Sequence, residues 1–248
     1  MNRIGMVAVF VATASTIVPA QSTFLGRPAN PQATDAVLVM RYFTVATGEG
    51  YGTVPHLYTV EAKRALGSLA NVGVVGKAGG TDSVATPRSA VLAASEVTYN
   101  ALSLLGIRPV LGRDFSEADA RAGRRLAILG HASWIREFKS QPDIVGLKMR
   151  RFNGTTLGDE VEIVGVLPPG AFSTTPELDV EADVLVLSRD CLDDATLRKG
   201  WYAPILRLAP GVTAAQVQTA LNAVVAKVQG SGAGERGTGL RLESLRQK

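Results

Sequence analysis

The sequence predicts an α+β fold made of split strand–helix–strand units with a smaller α+β module inserted between them, preceded by an N-terminal apolar helix. Short apolar runs typical of strands alternate with segments of helical periodicity. The last strand–helix–strand segment has the same plan as the first, and a helix followed by a hairpin separates the two. The chain has 248 residues, of which 46% are hydrophobic and 19% charged, so it is long enough for one or two domains.

Residues 1–25 are predicted to be a signal peptide or a membrane anchor. Asn2 and Arg3 give a weakly positive start, and residues 4–18 are apolar or small and carry no charge. The apolar run has about 15 residues, fewer than the roughly 20 that a membrane-spanning helix needs. Residues 18–20 resemble a signal-peptide cleavage site. Both interpretations place the rest of the chain outside the cytoplasm, and a buried helix of a soluble domain is the alternative.

The first unit follows a linker that contains two prolines. Up to residue 106 we predict a strand, a helix, two strands and a short helix, at residues 36–43, 53–69, 71–76, 90–97 and 98–105. Thr53 is expected to cap the first helix, and Pro55 is tolerated in its first turn. Residues 77–87 are rich in turn-forming residues, and Gly106 is suited to end the short helix in a left-handed conformation.

Local signals mark a helix start and a hairpin in the middle of the chain. Ser116 and Asp119 form a capping box, and Asn153-Gly154 is a strong turn signal. Trp134 and Phe138 are expected to stack one turn apart and to belong to the core rather than to a ligand platform. The other elements predicted here are a strand, a helix and the two strands of the hairpin, at residues 125–130, 133–139, 148–152 and 160–167.

The last unit contains the clearest helix signal in the chain. Thr213 and Gln216 form a second capping box. The apolar stripe that follows, from Val217 to Val228, is expected to pack in the core rather than to form a partner groove. Strands are predicted on both sides of this helix, at residues 183–187, 202–208 and 239–245.

No group of residues has the spacing of a known catalytic or metal site. His56 and His131 are far apart in sequence and neither lies in a metal-binding pattern. The sequence contains no nucleophile elbow of the form Gly-x-Ser-x-Gly. Asp190, Asp193 and Asp194 lack the alternate spacing of a calcium loop. We therefore predict no enzymatic activity, no catalytic residues, no cofactor and no metal site.

The charge of the chain does not favour nucleic-acid binding. The net charge is only +4, and Lys and Arg do not cluster with aromatic residues. Arg124-Arg125 and Arg150-Arg151 are expected to be solvated surface pairs. The single cysteine, Cys191, excludes an intrachain disulfide and is expected to be a partly buried apolar residue.

Several segments carry a family resemblance because they occur together and in a fixed order. They are FLGRP at residues 24–28, SEVTYNALSLLGIRPVLGRDF at 95–115, AILGHASW at 127–134, IVG at 144–146, VGVLPPG at 164–170, LAPGVT at 208–213 and LRLESL at 240–245. Together they resemble the MacB-like periplasmic core domain of ABC-type permeases in the MacB/FtsX superfamily, most closely the permease-only, acidobacterial type. The resemblance covers most of residues 22–248.

The resemblance implies a porter-like subdomain, residues 26–107 plus 179–248, and a smaller inserted subdomain, residues 108–178. It implies no catalytic residues in this domain. In the family the membrane part has four helices and works as a dimer with a separate cytoplasmic ATPase. The implied location is the cell inner membrane, with the globular part in the periplasm. The sequence holds no later membrane helices and no ATP-binding motif, so a channel function is not expected of this chain alone.

Three functions remain open from the sequence. The prediction is a non-catalytic extracytoplasmic core domain of an ABC transporter permease, which couples transport to a periplasmic protein partner or ligand. The first alternative is a freestanding exported binding module. The second is an exported hydrolase with His131 or a Ser/Asp group at its centre.

Overall fold

The computed structural model describes residues 37–76, 83–86, 91–153, 156–172, 178, 183–188 and 200–245, which form a mixed α/β fold. The strands of this part are β1 Val37–Thr44, β2 Gly50–Tyr51, β3 Val54–Pro55, β4 Ala70–Gly76, β5 Ser83–Ala85, β6 Val91–Val97, β7 Leu111–Gly112, β8 Leu126–Leu129, β9 Lys148–Asn153, β10 Thr156–Val166, β11 Val184–Leu187, β12 Trp201–Leu208 and β13 Thr238–Ser244. Its helices are α1 His56–Leu66, α2 Ala101–Leu105, α3 Glu117–Arg121, α4 His131–Phe138 and α5 Ala214–Gly230, with a 3₁₀ turn at Pro142–Ile144.

One half of the fold is an open antiparallel sheet in the order β4-β12-β1-β13. β12 lies between β1 and β4, the two strands that flank α1. In turn, β1 lies between β12 and β13, the two strands that flank α5. Each strand–helix–strand segment is therefore split by a strand of the other. Helices α1 and α5 cover one face, where their apolar sides pack on Leu38, Met40 and Tyr42 of β1. The short strands β2 and β3 pair with β1 and β12.

The other half is a closed ring of six strands in the order β11-β8-β10-β9-β5-β6, in which β6 pairs with β11. The pairs β6–β11 and β8–β10 are parallel, and the other pairs of the ring are antiparallel. Alternate residues of the six strands form one apolar cluster, because successive side chains of a strand point to opposite faces. Phe138 of α4 and Ile144 of the 3₁₀ turn complete this cluster.

Strand β6 belongs to both halves. It pairs with β11 through residues 94–97, with β5 through residues 91–93, and with β4 through Glu96 and Val97. A further apolar cluster fills the space between the second face of the open sheet and the ring, with α2 inside it. Helix α2 lies close to β4 because position 73 is a glycine: a Cβ atom there would stand 2.7 Å from a Leu104 methyl carbon.

Most elements predicted from the sequence are confirmed. The capping boxes of α3 and α5 both form, with Asp119 and Gln216 at the third helical position. Gly106 ends α2 in the left-handed conformation with φ of 71°. The predicted hairpin joins β9 and β10, with Asn153 opposite Thr156, so two residues are left for its turn.

Two local predictions are wrong. Thr53 does not cap α1, because Val54 and Pro55 continue in extended conformation as β3 and pair with β12, so that the helix starts at His56. Strand β5 lies within residues 77–87, where only turns were predicted. Its three residues are held by pairing with β6 and β9, which local sequence does not reveal.

The predicted signal peptide or membrane anchor at residues 1–25 lies outside the described residues and stays a prediction. Within the described ranges, no helix has both the length and the apolar character needed to cross a membrane. The division into residues 26–107 plus 179–248 and residues 108–178 also stays a prediction. The ring takes β5, β6 and β11 from outside residues 108–178.

The outer edge of β13 is covered by glutamine side chains of α5. Gln218 donates from Nε2 to the carbonyl oxygen of Leu240 at 2.7 Å and accepts from the N–H of Leu242 at 3.2 Å. Gln229, three turns further on, donates to the carbonyl oxygen of Thr238 at 3.0 Å. An edge strand with open N–H and C=O groups is a template for pairing with another chain. The two side-chain amides occupy three of these groups on β13, the carbonyl oxygens of Thr238 and Leu240 and the N–H of Leu242.

We expect Gln218→Ala to lower the free energy of unfolding by about 0.5–1.5 kcal/mol, because two hydrogen bonds to the edge strand are lost. The opened edge should also make the protein self-associate as its concentration rises. Urea denaturation and analytical ultracentrifugation measure the two effects. Thr219→Ala is the matched control, since Thr219 is exposed and its hydroxyl bonds only within α5, to Ala215. Equal stability and equal association of the two variants would contradict the role of Gln218.

Candidate functional site

The chain enters and leaves the described fold at the same end of the open sheet. β1 begins at Val37 and β13 ends at Ser244, and the N–H of Leu245 donates to the carbonyl oxygen of Val37 at 2.9 Å. We call this end the base. Strand β1 runs away from the base for eight residues, roughly 20 Å, to an opposite end that we call the tip. Any site at the tip is therefore far from Val37 and Leu245, which lie at the base.

A cluster of aromatic rings occupies the tip. The ring centroid of Tyr42 lies 5.9 Å from that of Tyr51, 5.4 Å from that of Tyr58 and 5.7 Å from that of Trp201, and Tyr51 and Trp201 are 6.0 Å apart. Tyr42 and Tyr58 are buried, whereas Tyr51 is 51% and Trp201 46% exposed. Aromatic residues are enriched in protein interfaces relative to the rest of the protein surface. We call Tyr51 and Trp201 the tip patch.

Strand pairing brings the two residues of the tip patch together. Tyr51 stands opposite Tyr42 because β2 folds back on β1, and Trp201 stands opposite Pro55 because β3 pairs with β12. The N–H of His56 donates to the carbonyl oxygen of Gly200 at 3.0 Å, which ties the start of α1 to the residue before Trp201. Leu57, on the first turn of α1, is also partly exposed.

Two arginines hold the loop that carries Tyr51. Arg41 donates to the carbonyl oxygen of Gly52, and Arg241 donates to that of Gly48 at 3.1 Å. Glu243, which is 3% exposed, accepts from Arg241 at 2.8 Å and lies 3.5 Å from Arg41. The buried carboxylate thus balances two guanidinium groups, as a buried charge requires. The loop is fixed on both sides of Tyr51, so the tip patch is a preformed surface.

A cavity of about 170 Å³ lies beside the ring, between β6, β9, β10 and β11. Glu96 pairs with Arg151, and Arg125 pairs with Asp159. Ser188 donates to Glu96 at 3.3 Å. Because the four charges form two opposite pairs, they give the cavity no net charge. Arg151 was predicted to be solvated, but its side chain is only 25% exposed, because β6 and β9 bring Glu96 to it.

The most recognisable motif of the sequence, at residues 111–119, is held together by hydrogen bonds to the carboxylate of Asp119. Arg113 donates to both carboxylate oxygens of Asp119, at 2.6 and 3.1 Å, and Ser116 donates to Asp119 from its hydroxyl at 2.6 Å. Phe115 is buried in the cluster between ring and sheet. The hydrogen bond from Arg113 is the main reason that the pKa of Asp119 is lowered to about 2. This ion pair therefore persists throughout the physiological pH range.

The pKa of Asp114, in the same motif, is shifted in the opposite direction. Burial raises the pKa of its carboxyl group to about 6, although the group accepts a hydrogen bond from the N–H of Phe115 at 2.7 Å. At neutral pH the folded protein therefore holds a charged carboxylate in a site that favours the neutral acid. The motif is stabilised by Asp119 and weakened by Asp114.

The structure does not bring the two histidines into a catalytic group. His56 is buried and its ring lies 5.4 Å from that of Tyr202, whereas the ring of His131 lies 5.6 Å from that of Trp134. Within the described part of the chain, His131 has no hydrogen bond to a serine or a carboxylate. This part also contains no group of three His, Cys, Asp or Glu residues that could hold a metal ion. Among the described residues, His131 is therefore not part of a Ser/His/Asp arrangement.

The other residues considered from sequence lie in the core or outside the described residues. Phe138 and Trp134 pack in the ring cluster, and Trp134 donates to the carbonyl oxygen of Gln141 at 2.9 Å. The stripe from Val217 to Val228 is buried against the sheet, which confirms its prediction as core. Asp190, Asp193, Asp194 and Cys191 lie outside the described residues.

Sequence reasoning missed the tip patch altogether. Tyr51 sits in a glycine-rich break, Gly48 to Gly52, for which no helix or strand was predicted. Trp201 precedes an apolar strand and was not included in it. The available signal was composition, since Tyr51 stands in a glycine-rich segment and Trp201 directly follows Gly200. Their proximity depends on the pairing of β2 and β3, which has no local signal.

The comparisons with known proteins agree on one family. The family model of the MacB-like periplasmic core domain matches residues 4–224. Among proteins of curated function, none matches the sequence significantly. Solved structures match at low sequence identity, which shows a shared fold.

Three of these structures illustrate the likeness. The extracellular domain of the noncanonical ABC-type transporter YknZ from Gram-positive bacteria gives a TM-score of 0.55 at 11% identity, over 82% of this chain and 98% of that chain. A domain of a permease-type protein from Porphyromonas gingivalis gives 0.56 at 15% identity, over 89% and 95%. The periplasmic region of MacB from Actinobacillus actinomycetemcomitans gives 0.51 at 12% identity, over 82% and 87%.

We expect Asp114→Asn to raise the free energy of unfolding at pH 7 by about 1–2 kcal/mol, because the amide removes a half-buried charge but can still accept from the N–H of Phe115. The pKa of about 6 lies above the ordinary 3.8, so the penalty of the wild-type carboxylate develops as pH rises from about 4 through 6. The gain should therefore disappear below pH 4.

Urea denaturation of both proteins at pH 7 and near pH 3.5 measures this difference. Asp143→Asn is the control, because Asp143 is exposed on the 3₁₀ turn. A gain of the same size at both pH values would show that burial of the Asp114 charge is not its cause.

Proposed function

Because the chain belongs to the family of MacB-like periplasmic core domains, we propose that it is the non-catalytic extracytoplasmic domain of an ABC transporter permease and couples movements of the membrane part to a periplasmic protein partner. The match over residues 4–224 carries this proposal, since it extends over most of the chain. The domain would lie in the periplasm, on the outer side of the cell inner membrane.

The positions of base and tip support this arrangement. The chain enters and leaves at the base, so membrane segments joined to either end would lie beneath it. The tip then points away from the membrane. A partner in the periplasm would meet the tip first, and the tip carries the exposed rings of Tyr51 and Trp201.

The tip patch has the properties of a protein-binding anchor. Trp and Tyr are among the residues that contribute most to binding when a partner covers them. Their position is fixed before binding by the buried rings of Tyr42 and Tyr58 and by the loop contacts of Arg41 and Arg241, so little conformational entropy would be lost. The proposed role needs no catalytic group and no cofactor in this domain.

The proposal extends to the organisation of the complete transporter. Residues 26–107 plus 179–248 would be a porter-like subdomain that carries the tip patch, and residues 108–178 the smaller inserted subdomain. Residues 1–25 would be a membrane anchor or a signal peptide. The membrane part would work as a permease dimer together with a separate cytoplasmic ATPase, and the shared strand β6 would let the domain transmit its movements as one stiff unit.

Cysteine labelling tests the location of the domain. In a Cys191→Ser background, we expect Val45→Cys to react with a membrane-impermeant maleimide on intact spheroplasts, because Val45 is 61% exposed in a domain that faces outwards. Val84→Cys is the matched control, since Val84 is fully buried in the ring and should not react in the folded protein. Reaction of Val45→Cys only after the inner membrane is opened would contradict a periplasmic location.

Site-specific cross-linking tests the tip patch. A photoreactive phenylalanine analogue at position 51 should link to one periplasmic protein in cells that make the whole transporter. Trp201→Ala should reduce this product at least about tenfold, since loss of an interface tryptophan commonly costs 2 kcal/mol or more of binding free energy. The same analogue at position 135 is the control, because Ile135 is similarly exposed but lies on α4. Identical products from both positions, or products insensitive to Trp201→Ala, would refute a partner site at the tip.

A further inference from the structure

One end of the six-stranded ring is lined by charged side chains. Strands β6, β9 and β11 end there and strands β8 and β10 begin there, because β6–β11 and β8–β10 are parallel pairs whereas β8–β11 and β9–β10 are antiparallel. We call this end the mouth of the ring. The mouths of β-barrels are among the places where small-molecule sites occur most often.

The charged residues of the mouth continue the inward face of the strands. Successive side chains of a strand point to opposite faces, so a residue two positions from an inward one also points inward. The positions two residues past the apolar ring cluster are Glu96 on β6 and Arg151 on β9. On the two strands that begin at the mouth, the corresponding positions are Arg125 and Asp159.

These four residues line the cavity of about 170 Å³. The lining also contains Val161 and Val186, which belong to the apolar cluster inside the ring. The cavity therefore joins a layer of charges at the mouth to an apolar surface beneath it. Sites for drug-sized ligands measure roughly 300–1,000 Å³, so this smaller cavity suits a ligand of amino-acid size.

The two ion pairs of the mouth differ in their exposure to water. The side chains of Glu96 and Arg151 are 15% and 25% exposed, and Ser188 adds a hydrogen bond to Glu96 at 3.3 Å. The side chains of Arg125 and Asp159 are 43% and 57% exposed. An ion pair with this exposure contributes little to stability, so its two groups can exchange their contact for contacts with a ligand at little cost.

The outer pair offers one group of each charge sign to such a ligand. A ligand with a single charge would pair with Arg125 or with Asp159 and would leave the other group without its partner. A ligand with both a carboxylate and an ammonium group would pair with both. Charge-assisted hydrogen bonds are the strongest of the protein hydrogen bonds, and an arginine can form two of them with one carboxylate.

From these features we propose that the mouth of the ring binds a small zwitterion, an α-amino acid with a short aliphatic side chain. Its carboxylate would accept from the guanidinium group of Arg125, and its ammonium group would donate to Asp159. Its side chain would lie on the apolar surface of Val161 and Val186. This site depends on the ring alone and is separate from the proposed partner site at the tip.

Nuclear magnetic resonance of the full chain in a nonionic detergent tests the site, with L-valine as the probe. We expect saturable shifts of the amide signals of Glu96, Val161 and Leu187. Isovalerate and isobutylamine have the same carbon branching as valine but lack its ammonium and its carboxylate group, respectively. Each should bind about tenfold more weakly or worse, because one set of charge-assisted contacts is lost.

The double variant R125Q/D159N should also bind L-valine about tenfold more weakly or worse. It removes one positive and one negative charge, so the net charge of the protein does not change. The matched control is E117Q/R121Q, which removes another exposed ion pair, within α3, and should bind L-valine as the wild type does.

Weaker binding of both analogues by the wild type, together with weaker binding of L-valine by R125Q/D159N alone, supports the zwitterion site. Absence of saturable shifts with L-valine, equal binding of all three probes, or equal binding by R125Q/D159N and the wild type overturns it. None of these results bears on the proposed function, because cross-linking at position 51 reports on the tip.

Discussion

The divided hydrogen bonding of β6 is the constraint on which both halves of the molecule depend. Along one edge the strand pairs first with β5 and then with β4, and along the other it pairs with β11. The ring and the open sheet are therefore one continuous hydrogen-bonded system, and the cluster around α2 packs against both. Turning one half against the other would break the backbone hydrogen bonds at Glu96 and Val97. Losing these hydrogen bonds is costly where water cannot take their place. The geometry favours movement of the domain as a whole.

The parts of this fold that local sequence could predict are those with a local cause. The capping boxes at Ser116 and Thr213, the hairpin turn after Asn153 and the buried stripe of α5 each follow from residues within a few positions of one another. The failures have distant causes. Thr53 could not cap α1 because β12 holds Val54 and Pro55 in extended form, and β5 exists only through its two neighbours. The closing pair β6–β11 joins residues about 90 positions apart, and no local pattern predicts such a contact.

The candidate sites were less predictable than the fold for the same reason. The segment at residues 95–115 is one of those that carry the family resemblance, and the structure shows that its Arg113 forms an ion pair with Asp119 within the domain. The tip patch joins Tyr51 to Trp201 across about 150 residues of sequence. The residue types were visible in the sequence. Their grouping was not, because it results from the order β4-β12-β1-β13.

The hydrogen bond between Leu245 and Val37 determines how the fold responds to mechanical force. β1 and β13 are antiparallel neighbours, and the residues that continue from both strands leave at the same end. A pull that separates these flanking residues loads a single pair at a time, beginning with Leu245 and Val37. The strands would unzip from the base instead of shearing along their length, and unzipping requires less force. The base would thus open early under tension, while the aromatic rings at the far end of β1 would keep their arrangement until the last rungs gave way.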